Sequence, residues 1–162
     1  MTCVVPEDPM CSNHNLVLDY TANSGAHQGF HESGHALFGA DAVHAPSFDQ
    51  VAVVVADPLD GCMGGASGQP ADASAITGTF ADGSMTGKIA LIRRGVCFFT
   101  TKTINAQNAG AVAVIIYNDH RPGTVVMSGP EVGVTIPAIF IEGSAGDTLN
   151  EAVTTVSYTH LT

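Results

Sequence analysis

The chain has 162 residues, of which 15 are acidic and 5 are basic, so its formal net charge is -10. This charge argues against nucleic acid and anionic membranes as partners, because both are bound by clusters of lysine and arginine that displace counterions. Since 45% of the residues are hydrophobic and 12% are charged, against roughly 25% in an average protein, we expect one folded domain rather than a disordered chain.

Residues 1 to 35 are predicted to be an irregular N-terminal extension, with loops and one or two short elements, because no hydrophobic period persists there. The start lacks the basic and apolar regions of a signal peptide, and no apolar run in the chain is long enough to span a bilayer. Four cysteines, Cys3, Cys11, Cys62 and Cys97, allow three pairings. Their even number favours an oxidising compartment.

The first clear strand is the apolar run at residues 51 to 56, which ends at turn-forming aspartate, proline and glycine residues. A loop rich in glycine, alanine and serine is predicted from there to about residue 82.

Residues 88 to 118 form the best-defined predicted unit, a strand, a helix and a second strand. The strand at 88 to 92 leads through a glycine turn to a helix at 98 to 109, and an apolar strand at 111 to 117 follows at once. Short joints between such elements require a right-handed crossover. The sequence therefore predicts two parallel strands that are buried on both faces.

A further strand is predicted at 134 to 141, where Pro137 restricts it to an edge or to the start of the strand. A Ser-x-x-Asp capping box that begins at Ser144 predicts a short helix. The tail at 154 to 162 is predicted as a last strand. Its final residues, 156 to 162, also resemble translated sequencing adapter, so we assign them no function.

Several runs of sequence occur in the order and spacing of one known family. They are Ala-Leu-Phe-Gly at 36–39, Asp-Pro-Leu-Asp-Gly-Cys at 57–62, Gly-Lys-Ile-Ala-Leu-Ile-Arg-Arg-Gly-Val-Cys-Phe-Phe at 87–99, Asn-Ala-Gln-Asn-Ala-Gly-Ala at 105–111, Ile-Ile-Tyr-Asn at 115–118 and Ile-Pro-Ala at 136–138. On these runs the chain resembles the protease-associated (PA) domain. We accordingly divide it into the extension at 1–35, a PA domain at 36–155 and the tail at 156–162.

The resemblance implies a mixed α/β fold of three layers, β/β/α, built from two sheets and helices. In secreted proteases, sorting receptors and membrane ubiquitin ligases, this domain is a recognition or lid module without catalysis of its own. The resemblance also implies an extracellular, protease-linked protein with a disulfide between Cys62 and Cys97, which leaves Cys3 and Cys11 as the remaining pair. The first bond would close about 35 residues and stabilise the fold by roughly 4 kcal/mol.

Four of the five basic residues, Lys88, Arg93, Arg94 and Lys102, lie within 15 positions of the chain. Lys88 and Lys102 are expected to pair with carboxylates or to extend along apolar surface into water. Arg94 and the following Gly95 instead lie in a turn between a strand end and a helix start, where α/β sheets bind ligands.

The candidate peptide-binding groove is therefore formed by Arg94, Gly95 and Cys97, with Asn118 and Asp119 as wall residues at the end of the neighbouring strand. We expect it to receive a carboxylate of a peptide or protein segment, or to position the substrate of an adjoining catalytic domain. No cofactor is expected for this non-covalent role.

A His-Glu-x-x-His motif at 31–35 supports a competing hypothesis, a zinc metallopeptidase. On a helix, His31 and His35 would share one face and bind zinc, with Glu32 as the general base. A catalytic zinc needs a third ligand, and neither a glutamate nor a histidine follows at the usual spacing. Because nearby glycines also weaken a helix, we prefer a loop or a strand for this segment.

Overall fold

The computed structural model describes residues 16–21, 27–42, 51–62, 80–95, 97–130 and 133–159. These residues form six strands and two helices: β1 (Leu16–Thr21), β2 (His27–His35), β3 (Val53–Val55), β4 (Ile89–Arg93), α1 (Phe99–Asn108), β5 (Ala113–Tyr117), β6 (Ala138–Ile141) and α2 (Gly143–Thr159). The strands pair into one sheet in the order β1-β2-β6-β5-β4-β3.

Strands β3, β4, β5 and β6 are parallel to one another and form the centre of the sheet. Ile92 of β4 pairs with Ile116 of β5, and Ile116 pairs in turn with Phe140 of β6. Helix α1 connects β4 to β5, so the predicted strand-helix-strand crossover at 88–118 is confirmed. Strands β4 and β5 consist almost entirely of successive apolar residues, as expected for strands that are buried on both faces of a sheet.

The two faces of the central strands are covered by different helices. Ala90, Ile92 and Ala106 belong to one hydrophobic cluster, with Ala106 contributed by α1. Leu91 and Leu149 belong to a second cluster, with Leu149 contributed by α2. Alternate residues of a strand point to opposite faces, so β4 supplies both cores.

The predicted mixed α/β fold is therefore confirmed, although its layers are arranged differently from the expectation of two sheets. Within the described residues all six strands pair into one sheet, and α1 and α2 pack on its two faces. The parallel strands have apolar residues on both sides, and a helix on each side removes this surface from water.

The segment at 1–35, which the sequence predicts to be irregular with one or two short elements, contains the strands β1 and β2. These strands pair with each other in antiparallel orientation, and β2 also pairs with β6. Strand β2 carries no apolar alternation in its sequence, His-Gln-Gly-Phe-His-Glu-Ser-Gly-His. Its backbone hydrogen bonds to two neighbouring strands override the weak local preference. The domain boundary predicted at residue 36 thus falls at the end of a strand that belongs to the sheet.

The C-terminal predictions are confirmed in one part and corrected in another. Strand β6 begins at Ala138, directly after Pro137, which agrees with a proline at the start of the strand. Helix α2 is much longer than the short helix predicted, and residues 154–159 are helical rather than a last strand. The sequence from 147 to 159 contains no glycine or proline that would end a helix. Among the described residues, no helix has the length and apolar character needed to cross a membrane.

Candidate functional site

Three loops meet at the edge of the sheet where β3, β4 and β5 end. Because these strands are parallel, the loops that follow them lie side by side. The backbone N–H of Arg93 donates to the carbonyl of Leu59 at 2.8 Å, and that of Arg94 donates to the carbonyl of Tyr117 at 2.7 Å. These hydrogen bonds fix the three loops relative to one another.

The loops line an open surface pocket of about 470 Å³. Its walls come from all three of them: Pro58, Leu59, Asp60, Arg93, Arg94, Gly95, Asp119 and His120. The pocket lies at the carboxyl ends of parallel strands, which is the usual place for ligands in such sheets. The predicted residues Arg94, Gly95 and Asp119 are among its walls, while sequence reasoning missed the other five, Pro58, Leu59, Asp60, Arg93 and His120.

Arg94 is held in the pocket wall by three contacts. Its Nη1 donates to Oδ1 of Asn118 at 3.2 Å. Its guanidinium carbon lies 5.6 Å from the ring centroid of Phe99 and 5.9 Å from that of Phe140, within cation–π range. Partial burial and the nearby charge of Arg121 lower the pKa of Arg94. An arginine with a lowered pKa is still charged at neutral pH, so the wall carries a permanent cation.

Asn118 supports the pocket from behind instead of lining it. Its side chain is fully buried, and its Nδ2 donates to the carbonyl of Gly123 at 2.8 Å. Its Oδ1 accepts from Arg94 and from the backbone N–H of Asp119 at 3.1 Å. Asn118 is predicted from the sequence to line the pocket, whereas in the structure its side chain joins Arg94 to the loop after β5.

Asp119 forms an ion pair with Arg121 on the same loop. Arg121 Nε donates to Asp119 Oδ1 at 2.7 Å, and Nη2 donates to Oδ2. These hydrogen bonds are the main reason why the pKa of Asp119 lies well below its usual range. The Asp119 charge at the pocket is therefore matched by a neighbouring guanidinium.

The predicted disulfide between Cys62 and Cys97 is confirmed, with a Cα–Cα distance of 5.6 Å. It joins the loop after β3 to the segment before α1, and both of these segments contribute residues to the pocket walls. Cys97 itself is not a wall residue; it anchors the wall. Cys3 and Cys11 lie outside the described residues.

Lys102 of α1 is buried beneath these two segments. Its Nζ donates to the carbonyl of Asp60 and lies 3.2 Å from Sγ of Cys62. Burial lowers the pKa of Lys102 from 10.5 to about 8, an effect that the charges of Asp60 and Asp119 partly oppose. The prediction that Lys102 extends into water or pairs with a carboxylate is wrong, because its ammonium group binds a carbonyl and a sulfur atom in the interior.

Positive charge is concentrated around the pocket. Arg93 and Arg94 line it, Lys102 contacts the carbonyl of a wall residue, and Arg121 pairs with Asp119. Four of the five basic residues of the chain therefore lie at or beside one pocket, although the net charge of the chain is -10. The remaining basic residue, Lys88, precedes β4 at the opposite edge of the sheet.

The His-Glu-x-x-His segment at 31–35 lies in strand β2 and not on a helix. A strand rises about 3.3 Å per residue, so residues four apart are separated by roughly 13 Å, about twice the separation on a helix. His31 and His35 thus lack the helical geometry that the zinc hypothesis requires. Among the described residues, no three histidine, cysteine or acidic side chains are close enough to hold a metal ion.

Comparison with known proteins identifies a family and a fold. The family model of the PA domain matches residues 34–149. The structure of BSAP, a zinc aminopeptidase from Bacillus subtilis, superposes with a TM-score of 0.50 over 85% of this chain and 29% of that chain, at 24% sequence identity. At this identity the similarity concerns the fold alone.

Curated relatives include two different kinds of protein. The receptor homology region, transmembrane domain- and RING domain-containing protein 1 of Arabidopsis thaliana is 40% identical over 101 residues, which are 62% of this chain and 30% of that protein. Aminopeptidase YwaD of Bacillus subtilis (strain 168) is 46% identical over 68 residues, 40% of this chain and 14% of that protein. The matched segment thus spans less than a third of either relative.

Proposed function

The chain belongs to the PA-domain family, a family of accessory modules, and from this premise we propose that its pocket binds the carboxylate of a peptide or protein segment. The carboxylate belongs to an acidic side chain or to a free C-terminus. Binding is non-covalent and needs no cofactor. Arg93 and Arg94 hold the carboxylate, Gly95 and Asp119 form the adjacent walls, and Asn118 and Cys97 hold these walls in place.

The observation that carries the proposal is the concentration of basic residues at one pocket of an acidic chain. An anionic group loses favourable interactions with water on binding, and it is attracted only where local positive charge compensates for this loss. Only one of the five basic residues of the chain, Lys88, lies away from this pocket. The pocket that Arg93 and Arg94 line is therefore a favourable place for a carboxylate.

The hydrogen-bonding capacity of the two arginines supports the same ligand. Arg94 uses Nη1 for Asn118, and among the described residues its other guanidinium nitrogens have no hydrogen-bond acceptor. Arg93 is exposed, and its side chain also has no acceptor there. A guanidinium presents donors in a planar fork that matches a carboxylate. The pocket thus offers donors to a ligand without breaking an internal hydrogen bond.

Gly95 keeps the pocket wall close to its neighbours. A Cβ atom at this position would lie 3.0 Å from Cβ of Asp60 and 3.5 Å from Nζ of Lys102. A larger residue would therefore push the wall away from Asp60 and change the width of the pocket. The glycine lets the backbone itself contact an extended ligand.

The relatives suggest the setting in which this binding takes place. Their names describe a receptor-like protein with a RING domain and an aminopeptidase, and the matched segment is a small part of each. We propose that this chain is an accessory, protease-linked part of an extracellular or lumenal protein. Its partner is a separate peptide or a segment of an adjoining catalytic domain.

Binding of matched peptide pools tests the proposal. One pool of short amidated random peptides contains aspartate and glutamate, and the other contains asparagine and glutamine in their place. The immobilised chain should retain the acidic pool preferentially, and Arg93→Gln should reduce this retention roughly tenfold, since a charged hydrogen bond contributes about 1.5–3 kcal/mol. Lys88→Gln removes the same charge at the opposite edge and is the control.

Two results would contradict the proposal. Equal retention of the two amidated pools, with no gain when the same peptides carry a free C-terminus, would show that the pocket does not select carboxylates. Equal loss of retention in Arg93→Gln and Lys88→Gln would show that net charge, and not this pocket, attracts the peptides. Retention should also weaken as salt is raised, because exposed charges are screened over about 10 Å at 0.1 M ionic strength.

A further inference from the structure

The two sulfur atoms of the Cys62–Cys97 bond have different surroundings. Sγ of Cys62 accepts a hydrogen bond from the backbone N–H of Cys97 at 3.2 Å and lies 3.2 Å from Nζ of Lys102. It also lies 3.4 Å from the carbonyl of Asp60, which itself accepts from Lys102. Within the described residues, Sγ of Cys97 receives no hydrogen bond. Both of the donors at this disulfide therefore point to one sulfur atom.

This asymmetry decides which sulfur atom can best carry a negative charge. A thiolate is stabilised by an adjacent ammonium group and by hydrogen bonds from backbone N–H groups. Cys62 has both, because Nζ of Lys102 and the N–H of Cys97, which lies two residues before α1, are each 3.2 Å from its Sγ. When a disulfide is attacked, the sulfur that is the more stable thiolate leaves faster.

We propose that the Cys62–Cys97 bond is a thiol-exchange site, at which an incoming thiol attaches to Cys97 and Cys62 leaves as a thiolate held by Lys102. The thiolate of the incoming molecule attacks Sγ of Cys97 and forms a new sulfur–sulfur bond with it. The Cys62–Cys97 bond breaks, and its electron pair stays on Cys62. The incoming sulfur is oxidised and Cys62 is reduced, so no further oxidant or reductant is needed.

Lys102 keeps its positive charge in the pH range where thiol exchange takes place. Burial lowers its pKa to about 8, so most of the ammonium groups remain protonated at pH 7. The charged groups that act on it are Asp60 and Asp119, and both favour the protonated form. A newly formed Cys62 thiolate would add a third negative charge close to Lys102 and strengthen this preference.

Exchange would also affect the pocket. The bond joins the wall that contains Leu59 and Asp60 to the wall that contains Arg94 and Gly95. Once it opens, a thiol-linked group on Cys97 lies beside the second wall. This consequence for binding rests on the proposed function of the pocket, whereas the exchange reaction itself does not.

Mapping of the two cysteines in the unaltered chain tests the exchange. The chain is treated with reduced glutathione, and free thiols are then trapped with iodoacetamide. A peptidase that cuts before aspartate places Cys62 in the peptide 60–71 and Cys97 in the peptide 82–118, apart from Cys3 and Cys11. We expect glutathione on Cys97 and the iodoacetamide label on Cys62. Glutathione mainly on Cys62, equal amounts on both, or no adduct would overturn the proposal.

The role of Lys102 is tested by Lys102→Met, with Lys88→Met as a matched control at an exposed lysine. We expect the Lys102 variant to form the glutathione adduct roughly tenfold more slowly and the control to react at the unaltered rate. An unchanged rate in folded Lys102→Met would show that Lys102 does not stabilise the leaving thiolate. If that variant does not fold, the mapping in the unaltered chain still decides which sulfur leaves. Failure of the peptide-pool experiment would leave both of these measurements unaffected.

Discussion

Nη1 of Arg94 donates to Oδ1 of Asn118 at 3.2 Å and so joins the loops that follow two neighbouring strands. The residues are 24 positions apart in the chain. The same guanidinium group contacts the rings of Phe99 and Phe140. Arg94 is therefore both a wall of the pocket and a structural support for it, and its replacement should affect stability as well as binding.

We expect Arg94→Ala to lower the free energy of unfolding by about 2 kcal/mol, because it removes a partly buried hydrogen bond and two cation–π contacts. Urea denaturation measures this change. Arg93→Ala is the control, since Arg93 is exposed and its removal should change stability by less than about 0.5 kcal/mol. Equal effects of the two substitutions would show that the contacts of Arg94 contribute nothing.

The disulfide should make a large contribution to stability. Replacement of both Cys62 and Cys97 by alanine removes a covalent link across 35 residues. We expect a loss of about 4 kcal/mol in the free energy of unfolding, mainly because the unfolded chain gains conformational freedom. Denaturation of the double variant and of the oxidised chain under the same conditions gives this difference. A loss below about 1 kcal/mol would mean that the linked loops are held by other contacts.

Lys102 should make stability depend on pH in the alkaline range. Burial lowers its pKa to about 8 in the folded chain, whereas the unfolded chain keeps the ordinary value of 10.5. Between these values the unfolded chain binds more protons, so the free energy of unfolding rises with pH, and this contribution is lost as the pH falls through about 8. The rise should approach about 3 kcal/mol over the full interval.

Denaturation of the oxidised chain at about pH 7.5 and at about pH 10 measures this effect. Lys102→Met should lack the rise, and Lys88→Met should retain it, because Lys88 is exposed. A rise of the same size in Lys102→Met would assign the pH dependence to other groups.

Gly146 of α2 should not tolerate a side chain, although alanine favours helices by about 1 kcal/mol over glycine. A Cβ atom there would lie 2.1 Å from Cγ of Tyr117, whose side chain is fully buried in β5. We expect Gly146→Ala to destabilise the fold by about 3 kcal/mol, because α2 must move away from the sheet.

Gly87→Ala is a useful comparison for that measurement. Gly87 has a positive φ of 70°, but nothing lies within 4 Å of the position of its missing Cβ. Its replacement should cost only about 1 kcal/mol through backbone strain. If thermal or urea denaturation finds Gly146→Ala to be as stable as the unaltered chain, the close packing of α2 on Tyr117 is not rigid.

The central part of the fold could be predicted from sequence because its signals are local. The apolar runs of β4 and β5 and the short joints around α1 allow only one arrangement, a parallel crossover. Strand β2 carries no such signal. Its polar sequence becomes a strand because it pairs with β6. Ser33 of β2 lies opposite Ile141 of β6, which is more than 100 positions away in the chain.

The candidate site could be predicted only in part for the same reason. Arg94 and Asp119 lie directly after strands, so the carboxyl-end rule places them at one edge of the sheet. The burial of Lys102 depends on a loop 40 positions earlier in the chain, where Cys62 and Asp60 approach its ammonium group. Helical periodicity at 98–109 contains no information about that loop, and a lysine there resembles an ordinary surface residue.

The pairing of β2 with Phe140 and its neighbours in β6 has a practical consequence for recombinant work. A fragment cut at residue 36 would leave the N–H and C=O groups on one side of β6 without hydrogen-bond partners. Such a bare strand is a template for pairing between molecules and hence for aggregation. Expression of the domain should therefore begin ahead of residue 16, so that β6 is shielded by its own chain.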